Sequence, residues 1–318
     1  MRVAVIGIGA LGSLFAARFH SQCDLVMCGD WPEQVQAVRR DGLTLIDRHQ
    51  RASLQRVRIA NEVREVGRVD LAFVLVKSYK TGQAAALAEQ ILSAEGLAVT
   101  LQNGLGHAEI LQAVLSPRRV ILGSTAQGAT LVRPGVVRHA GEGPTYLARP
   151  AAWTPAFERL LQLFEHAQME VQVIAEVNRV LWSKLVISAG INPLTALLRQ
   201  PNGYLVENEP ARGLMLEAVA EAARVARTQG VALDPAEAGA QALAVARATA
   251  GNQSSMLQDV LRGAPTEVEA ITGMIVACGA PAGLATPVNA LLLRLLRTGA
   301  QQIDIGALVR LREHDRHL

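Results

Sequence analysis

The sequence has few lysines, few aromatic residues and few cysteines. Only three of its 31 Lys and Arg residues are lysines, so each remaining lysine is a candidate for chemistry that arginine cannot perform. Three Tyr, three Trp and a formal net charge of only +3 argue against nucleic acid as a partner. Three cysteines, none in a C-x-x-C pair, argue against a structural zinc and fit a reducing cytoplasm.

Long hydrophobic runs are also scarce. Residues 3–17 form an uncharged run after Arg2, as in a signal peptide, but the glycine spacing within it has a better explanation, given below. No other segment approaches the roughly 18 consecutive apolar residues of a membrane span. We therefore expect a cytoplasmic protein that does not bind membranes. With 318 residues, half of them hydrophobic, the chain is long enough for two cores.

The first part of the chain alternates strands and helices. Continuous apolar runs are typical of central strands covered on both faces, and their order with the helices predicts a parallel, doubly wound sheet. The predicted elements are strands at 2–6, 24–28, 71–76 and 97–101, helices at 10–20 and 81–92, later strands with hairpin-like connections over 123–148, a helix at 155–167 and a last strand at 169–174.

From residue 177 onwards the strand signals disappear. Apolar residues recur at intervals of three and four, and Gly and Pro mark the breaks between helices. We therefore predict an α/β domain over residues 1–174, followed by an all-α helical domain over residues 175–318. The motifs described next predict that the first is a dinucleotide-binding domain of the Rossmann type, and the resemblance that they carry implies that the second binds the substrate.

Three glycines follow the first predicted strand. Gly7, Gly9 and Gly12 form a G-x-G-x-x-G between strand and helix, which in dinucleotide sites permits a tight turn, close approach to a pyrophosphate and close helix packing. Asp30 lies 18 positions after Gly12, just past the second strand. A carboxylate there accepts hydrogen bonds from an unmodified ribose and repels a 2′-phosphate, which favours NAD over NADP.

Asp30 has a second interpretation. It could cap the helix that begins at Trp31-Pro32, and Arg39 or Arg40 could then still reach a phosphate. The sequence leaves both interpretations open.

Two further strand ends carry polar side chains. Lys77 follows one predicted central strand, and Asn103 follows the next. Ligands bind at the carboxyl ends of parallel strands, so Lys77 could meet the cofactor or a substrate carboxylate. Taken alone, Asn103-Gly104 is read more simply as a turn.

One polar stripe lies on an otherwise apolar helix. Lys184, Ser188 and Asn192 are spaced by four residues, and Thr195 returns to the same face. Pro193 should kink or end this helix. A solvated stripe in so arginine-rich a chain would carry more than one charge, so we interpret the stripe as a site in which Lys184 gives up a proton.

Two later segments are read as helix caps. Ser254 or Ser255 could cap a helix, and Thr266 with Glu269 forms a capping box that would leave Glu267 on an exposed first turn.

Together these motifs resemble the ketopantoate reductase family over essentially the whole chain. The resemblance rests on the glycine fingerprint, on Lys77 and on the segments 102–104, 182–197, 254–259, 266–267 and 286–289. It implies a Rossmann-type domain followed by a helical domain, and reduction of 2-dehydropantoate to pantoate with NADPH.

The resemblance also implies a role for each site residue. Lys184 and Glu267 would be catalytic, with Lys184 as the general acid. The residues implied to bind substrate are Asn103, Ser188, Asn192, Asn252 and Ser255, of which Asn192, with Glu267, would hold the substrate hydroxyl. The residues implied to lie at the cofactor are Gly7, Gly9, Gly12, Asp30, Lys77 and Asn103.

Two positions depart from the family pattern. Ser188 replaces a third asparagine, which keeps another 2-oxo acid open as the substrate. Asp30-Trp31 replaces an arginine for the 2′-phosphate, which keeps NADH open as the cofactor.

The family reaction and the reduction of another 2-oxo acid are thus two hypotheses for the function. A third hypothesis is a protein that senses the dinucleotide without turnover, but a sensor needs no proton donor such as Lys184. A homodimer is compatible with all three hypotheses.

Overall fold

The computed structural model describes residues 1–299 and 302–315. They form two compact units: Met1–Gln102 with His107–Val177, and Asn103–Gly106 with the described residues from Asn178 onwards. We predicted one boundary, after residue 174. In the structure, the segment Asn103–Gly106 follows a strand of the first unit but belongs to the helical unit.

Strands and helices alternate through the first unit. The strands are β1 (Arg2–Ile6), β2 (Asp24–Cys28), β3 (Leu43–Ile46), β4 (Ala52–Gln55), β5 (Arg58–Ala60), β6 (Val69–Val74), β7 (Leu92–Thr100), β8 (Val120–Thr125), β9 (Gly128–Arg133), β10 (Val136–Gly141), β11 (Thr145–Ala148) and β12 (Val171–Ile174). The helices are α1 (Ala10–Phe19), α2 (Pro32–Asp41), α3 (Val63–Val66), α4 (Thr81–Ile91), α5 (His107–Val114) and α6 (Pro155–His166).

The strands of the described chain form one large sheet and one small sheet. The large sheet has the order β12-β11-β8-β7-β6-β1-β2-β5, and all its pairs are parallel except β8 with β11, which confirms the predicted α/β fold. The small sheet has the order β4-β3-β10-β9. Of the hairpin-like connections expected over 123–148, the turn at Arg133-Pro134-Gly135 joins β9 to β10 as a hairpin. The turn after Gly141 instead leads into the large sheet and makes no hairpin.

Both faces of the large sheet are covered. Val3 and Val5 of β1 point into a core that contains five phenylalanines, four of which have ring centroids 5.2–6.1 Å apart. Ala4 and Ile6 point into a second core under α4. This burial on both faces explains why the central strands are apolar without alternation.

The register of the central strands brings their carboxyl ends to one edge. Ile6 pairs with both Cys28 and Val74, and Val74 pairs with Thr100. The turns that follow β1, β2, β6 and β7 therefore leave the sheet side by side.

The described residues from Val177 onwards contain helices and no strands, as predicted. The helices are α7 (Val177–Leu198), α8 (Tyr204–Glu207), α9 (Glu209–Thr228), α10 (Pro235–Ala248), α11 (Ser255–Leu261), α12 (Met274–Gly279), α13 (Pro287–Arg297) and α14 (Ile305–Asp315), with a π-helix at Glu269–Gly273 before α12.

Helix α7 is the core helix of this unit. It is apolar around most of its circumference, as expected of a buried helix. At Gly190 a Cβ atom would lie 2.5 Å from the side chain of Val219 on α9, so glycine is needed for the two helices to pack this closely. Among the described helices, α7 is also the one whose length and hydropathy would suffice for a membrane span, but 61% of the span window is buried inside the protein.

We expect Glu221 of α9 to be required for the stability of the helical unit. Its buried carboxylate accepts hydrogen bonds from the backbone N–H groups of Val288 and Asn289, both at 2.9 Å, and so caps α13, which has no side-chain cap of its own. Glu221→Ala should lower the free energy of unfolding by roughly 2–4 kcal/mol in urea titrations. Glu209→Ala, on an exposed position of α9, is the control and should cost less than about 1 kcal/mol; an equal loss in both variants would contradict the proposed cap.

Candidate functional site

The glycine turn after β1 has the geometry of a nucleotide phosphate site. Gly7 has φ +118°, and a Cβ atom there would lie 2.6 Å from the backbone of Leu75. A Cβ on Gly12 would collide with the carbonyl of Gly7, so helix and turn pack in contact. Gly9 is exposed at the start of α1, and a Cβ there would meet nothing within 4 Å. The turn therefore leaves open backbone at a helix N-terminus, where an anionic ligand fits.

Asp30 does not cap the next helix, so that interpretation was wrong. Trp31 occupies the N-cap position of α2, and no side chain accepts a hydrogen bond there. The Asp30 carboxylate instead accepts hydrogen bonds from Lys80 Nζ at 2.7 and 2.8 Å. This hydrogen bond from Lys80 holds the pKa of Asp30 below its usual range, so the carboxylate is charged at neutral pH.

The two arginines named as alternative phosphate ligands both have acidic partners. Arg39 donates to Asn61 at 2.9 Å and to Glu65 at 3.0 Å, and Arg40 pairs with Asp41 at 2.7 Å. To bind a phosphate, each guanidinium would have to leave its acidic partner.

A cavity of about 160 Å³ lies next to the Asp30–Lys80 pair, entirely within the first unit. Ile6, Val76 and Leu87 contribute to its apolar lining, while Asp30 and Lys80 contribute charge. An apolar pocket with a few polar groups is typical of a site for a ring system. Its position beside the ends of β1 and β2 is the place where α/β sheets of this type hold an adenosine.

The turn that carries Lys77 is tied down by a buried glutamine. Gln102 Nε2 donates to the carbonyl of Val76 and to Thr81 Oγ1, both at 2.9 Å, and Gln102 Oε1 accepts from Thr100 Oγ1 at 2.9 Å. Sequence reasoning assigned no role to Gln102, because nothing in the linear pattern shows which strand-end residue turns inward. Lys77, which is half-buried, directly follows Val76, whose carbonyl is held by this Gln102 anchor.

In the helical unit, Lys184, Ser188 and Asn192 lie along α7 and are all half-buried. Burial lowers the pKa of Lys184 to about 8, and the Glu267 carboxylate opposes that change. An ammonium with this pKa is still mostly protonated at pH 7 but releases its proton far more readily than an ordinary lysine.

Glu267 is buried, so its expected exposed position on a first turn was wrong. Only 6% of its surface is accessible, and it acts electrostatically on Lys184. The capping box also does not form: Glu269 pairs with Arg297 at 2.6 and 2.7 Å, and Thr266 Oγ1 accepts from Val268 N at 3.4 Å. The two acids of this segment thus differ in environment although they are two residues apart.

The far end of the stripe is a buried hydroxyl bridge. Helix α7 continues through Pro193 to Leu198, so of the two expectations at this proline, a kink or an end, the end was wrong. Thr195 is fully buried; its Oγ1 donates to the carbonyls of Ile191 and Asn192 and lies 2.7 Å from Ser254 Oγ. Ser254 in turn accepts from Leu257 N and caps α11, which leaves Ser255 as the half-buried first residue of that helix.

Asn252 lies on an exposed loop that leads to this cap. Its carbonyl accepts a hydrogen bond from Asn202 N at 3.0 Å, and its N–H donates to the carbonyl of Thr249 at 2.8 Å. The backbone of Asn252 is therefore fixed while its residue surface stays accessible.

Asn103 is carried by more than a simple turn. Gly104 has φ +90° and lies so close to Ala270 that a Cβ would be 2.3 Å from the Ala270 carbonyl oxygen. That carbonyl accepts from Leu105 N at 3.0 Å. Ala270 belongs to the π-helix that begins two residues after Glu267, and π-helical turns are frequent at functional sites. The Asn103 segment is thus docked onto the same part of the chain as Glu267.

Comparison with known proteins agrees with this geometry. Residues 3–151 match the family model described as ketopantoate reductase PanE/ApbA, and residues 176–300 match its C-terminal model. The chain belongs to the ketopantoate reductase family. A 2-dehydropantoate 2-reductase of Halobacterium salinarum is 38% identical over 300 residues, which cover 93% of this chain and 98% of the relative.

Two solved structures have the same fold as this chain. A 2-dehydropantoate 2-reductase from Geobacter metallireducens superposes with a TM-score of 0.87 at 27% identity, covering 94% of this chain and all of that one. D-mandelate dehydrogenase with NADH and anilino(oxo)acetate superposes with a TM-score of 0.88 at 24% identity, covering 97% and 99% of the two chains, and shows a likeness of fold.

With three lysines in the chain, the pKa of Lys184 can be measured directly. Protein labelled with carbon-13 at lysine Cε should give one signal that titrates near pH 8, and Lys184→Arg should remove it. Glu267→Gln should move this midpoint to lower pH, because the carboxylate favours the charged ammonium. Glu269→Gln is the matched control and should leave the midpoint in place. A midpoint for Lys184 at the ordinary lysine value would contradict its desolvation.

Proposed function

We propose that this protein reduces 2-dehydropantoate to pantoate with a hydride from a nicotinamide cofactor, and that Lys184 is the general acid. Pantoate would then serve pantothenate and coenzyme A biosynthesis. Membership of the ketopantoate reductase family supports an oxidoreductase acting on a small keto acid. The observation that carries the catalytic assignment is the lysine with a pKa of about 8 beside the buried Glu267.

The first unit is proposed to hold the cofactor. The open backbone at Gly7, Gly9 and Gly12 suits its pyrophosphate, and the cavity beside Asp30 suits its adenosine. Lys77, at the end of β6 and next to the Gln102 anchor, is assigned to the nicotinamide half of the cofactor, and Asn103 is also assigned to the cofactor. When bound, the reduced nicotinamide supplies a hydride.

The helical unit is proposed to hold the substrate and supply the proton. As the new C–H bond forms, the ketone oxygen gains negative charge, which the Lys184 ammonium stabilises. Lys184 Nζ then donates its proton to that oxygen, becomes neutral and is reprotonated from solvent. Glu267 raises the pKa of Lys184, so that more of the enzyme carries this proton at neutral pH.

The remaining site residues are assigned to substrate recognition. Asn192 and Glu267 hold the substrate hydroxyl, while Asn103 and Ser255 contact its carboxylate or carbonyl region. Asn252 lines the pocket from the exposed loop before α11. Thr195 supports these contacts indirectly, since its hydroxyl binds the Asn192 carbonyl and lies beside the cap of the helix that Ser255 begins.

Ser188 favours one alternative function. It is half-buried on the same stripe as Lys184, where the family has a longer asparagine, so reduction of another 2-oxo acid is the second candidate. The desolvated Lys184 argues against the third hypothesis, a sensor that never turns the cofactor over. NADPH as the preferred cofactor, a homodimer and a cytoplasmic location stay predictions.

We expect purified protein to consume NADPH or NADH when 2-dehydropantoate is added. Lys184→Met and Lys184→Arg should each lower kcat by about 10²–10⁴-fold. Methionine has no acidic proton to donate, and a guanidinium does not release its proton. The measurement is the loss of absorbance of the reduced nicotinamide, with a panel of other 2-oxo acids in parallel.

Arg179→Gln, on an exposed position of the same helix, is the control and should keep its activity. In the wild type kcat/KM should fall as the pH rises above about 8, since the neutral lysine cannot donate. Turnover confined to another acid of the panel would support the second candidate, and undiminished activity in Lys184→Met would exclude the proposed mechanism.

We also expect Asn192 to recognise the substrate hydroxyl. Asn192→Ala should lower kcat/KM for 2-dehydropantoate by about tenfold or more, and should barely change it for the analogue in which hydrogen replaces that hydroxyl. The two substrates are compared in the same assay. Equal losses on both would show that Asn192 does not contact the hydroxyl.

A further inference from the structure

The Asp30–Lys80 ion pair lies where a dinucleotide cofactor would expose its 2′ position. Both residues contribute to the cavity assigned above to adenosine, and both side chains remain accessible, by 73% and 40%. Lys80 Nζ contacts both carboxylate oxygens of Asp30. Each charge therefore partly neutralises the electrostatic potential of the other beside this cavity.

We propose that Lys80 is the cation that receives the 2′-phosphate of NADPH, and that Asp30 competes with the phosphate for it. This inference rests on the proposed binding of a nicotinamide dinucleotide. With NADH, the ion pair stays intact and the carboxylate accepts hydrogen bonds from the ribose hydroxyls. With NADPH, the Lys80 ammonium turns from the carboxylate to the phosphate.

The charges around the cavity favour Lys80 over the nearby arginines. Arg39 is held by Glu65 and Asn61, and Arg64 is held by Glu62 at 2.6 Å. Neither Arg39 nor Arg64 lines the cavity, whereas both Asp30 and Lys80 do. Lys80 can therefore exchange the carboxylate for a phosphate without leaving the pocket.

The exposure of the pair makes this exchange feasible. A solvent-exposed ion pair contributes little to stability, because water competes for both charges. Lys80 also stands one residue before α4, on the short 3₁₀ turn Ser78–Lys80, so its long side chain is free to pivot about a fixed backbone. The presence of a lysine there, in a chain in which only three of the 31 Lys and Arg residues are lysines, agrees with a role for a compact ammonium.

The proposal predicts opposite shifts in two single variants. Asp30→Asn should raise the ratio of kcat/KM for NADPH to that for NADH by about tenfold or more, since Lys80 is released and the repulsion is removed. Lys80→Gln should lower the same ratio by a similar factor, because the carboxylate is left uncompensated. In the double variant that combines Asp30→Asn with Lys80→Gln, most of the increase in this ratio that Asp30→Asn causes alone should disappear. Arg39→Gln is the control and should leave the ratio unchanged.

Calorimetric binding of adenosine 2′,5′-bisphosphate and of AMP separates this inference from the proposed function, because neither ligand needs turnover. The affinity ratio of the two ligands should follow the same order among the variants. If Asp30→Asn gains bisphosphate affinity equally with and without Lys80, or if Arg39→Gln abolishes that affinity, Lys80 is not the phosphate ligand. If neither nucleotide binds the wild type, both this inference and the assigned adenosine pocket are wrong.

Discussion

The desolvation of Lys184 is the constraint on which the helical unit depends. Burying an ammonium disfavours its charged form, so a lysine on a core helix has to be matched by a nearby carboxylate and a rigid helix. Glu267 provides the carboxylate, and it is buried two residues before the start of the π-helix. The close packing at Gly190 and the hydroxyl bridge at Thr195 hold the helix itself. Chemistry and core packing therefore use the same helix.

The first unit depends on the register of its parallel strands. Since Ile6, Cys28, Val74 and Thr100 lie in paired rows, four turns distant in sequence leave the sheet together. The buried amide of Gln102 then links two of these turns. An Asp30–Lys80 pair separated by 50 residues follows directly from this arrangement. The same edge thus combines a phosphate turn, an apolar cavity and a pair of opposite charges.

Errors in the sequence interpretation fall on side chains whose partners are distant. Asp30 was weighed between a ribose and a cap, because only its neighbours in sequence were visible; its partner is Lys80. Glu267 was placed on an exposed turn, since Thr266 and Glu269 match a capping box. Glu269 instead reaches Arg297 on another helix. A local motif specifies which hydrogen bonds are available, but tertiary contacts decide which ones form.

The sequence by itself determined the fold class, the position of the glycine turn and the polar stripe on α7. These follow from periodicity, from the backbone freedom of glycine and from the four-residue repeat of a helix, all of which are local. Only the tertiary structure decided that Glu267 is buried and acts on Lys184, and that Lys80 holds Asp30. It also decided that Asn103 is docked through Gly104 on the π-helix. A pKa and an ion pair depend on distance and burial in space, which the order of residues along the chain does not contain.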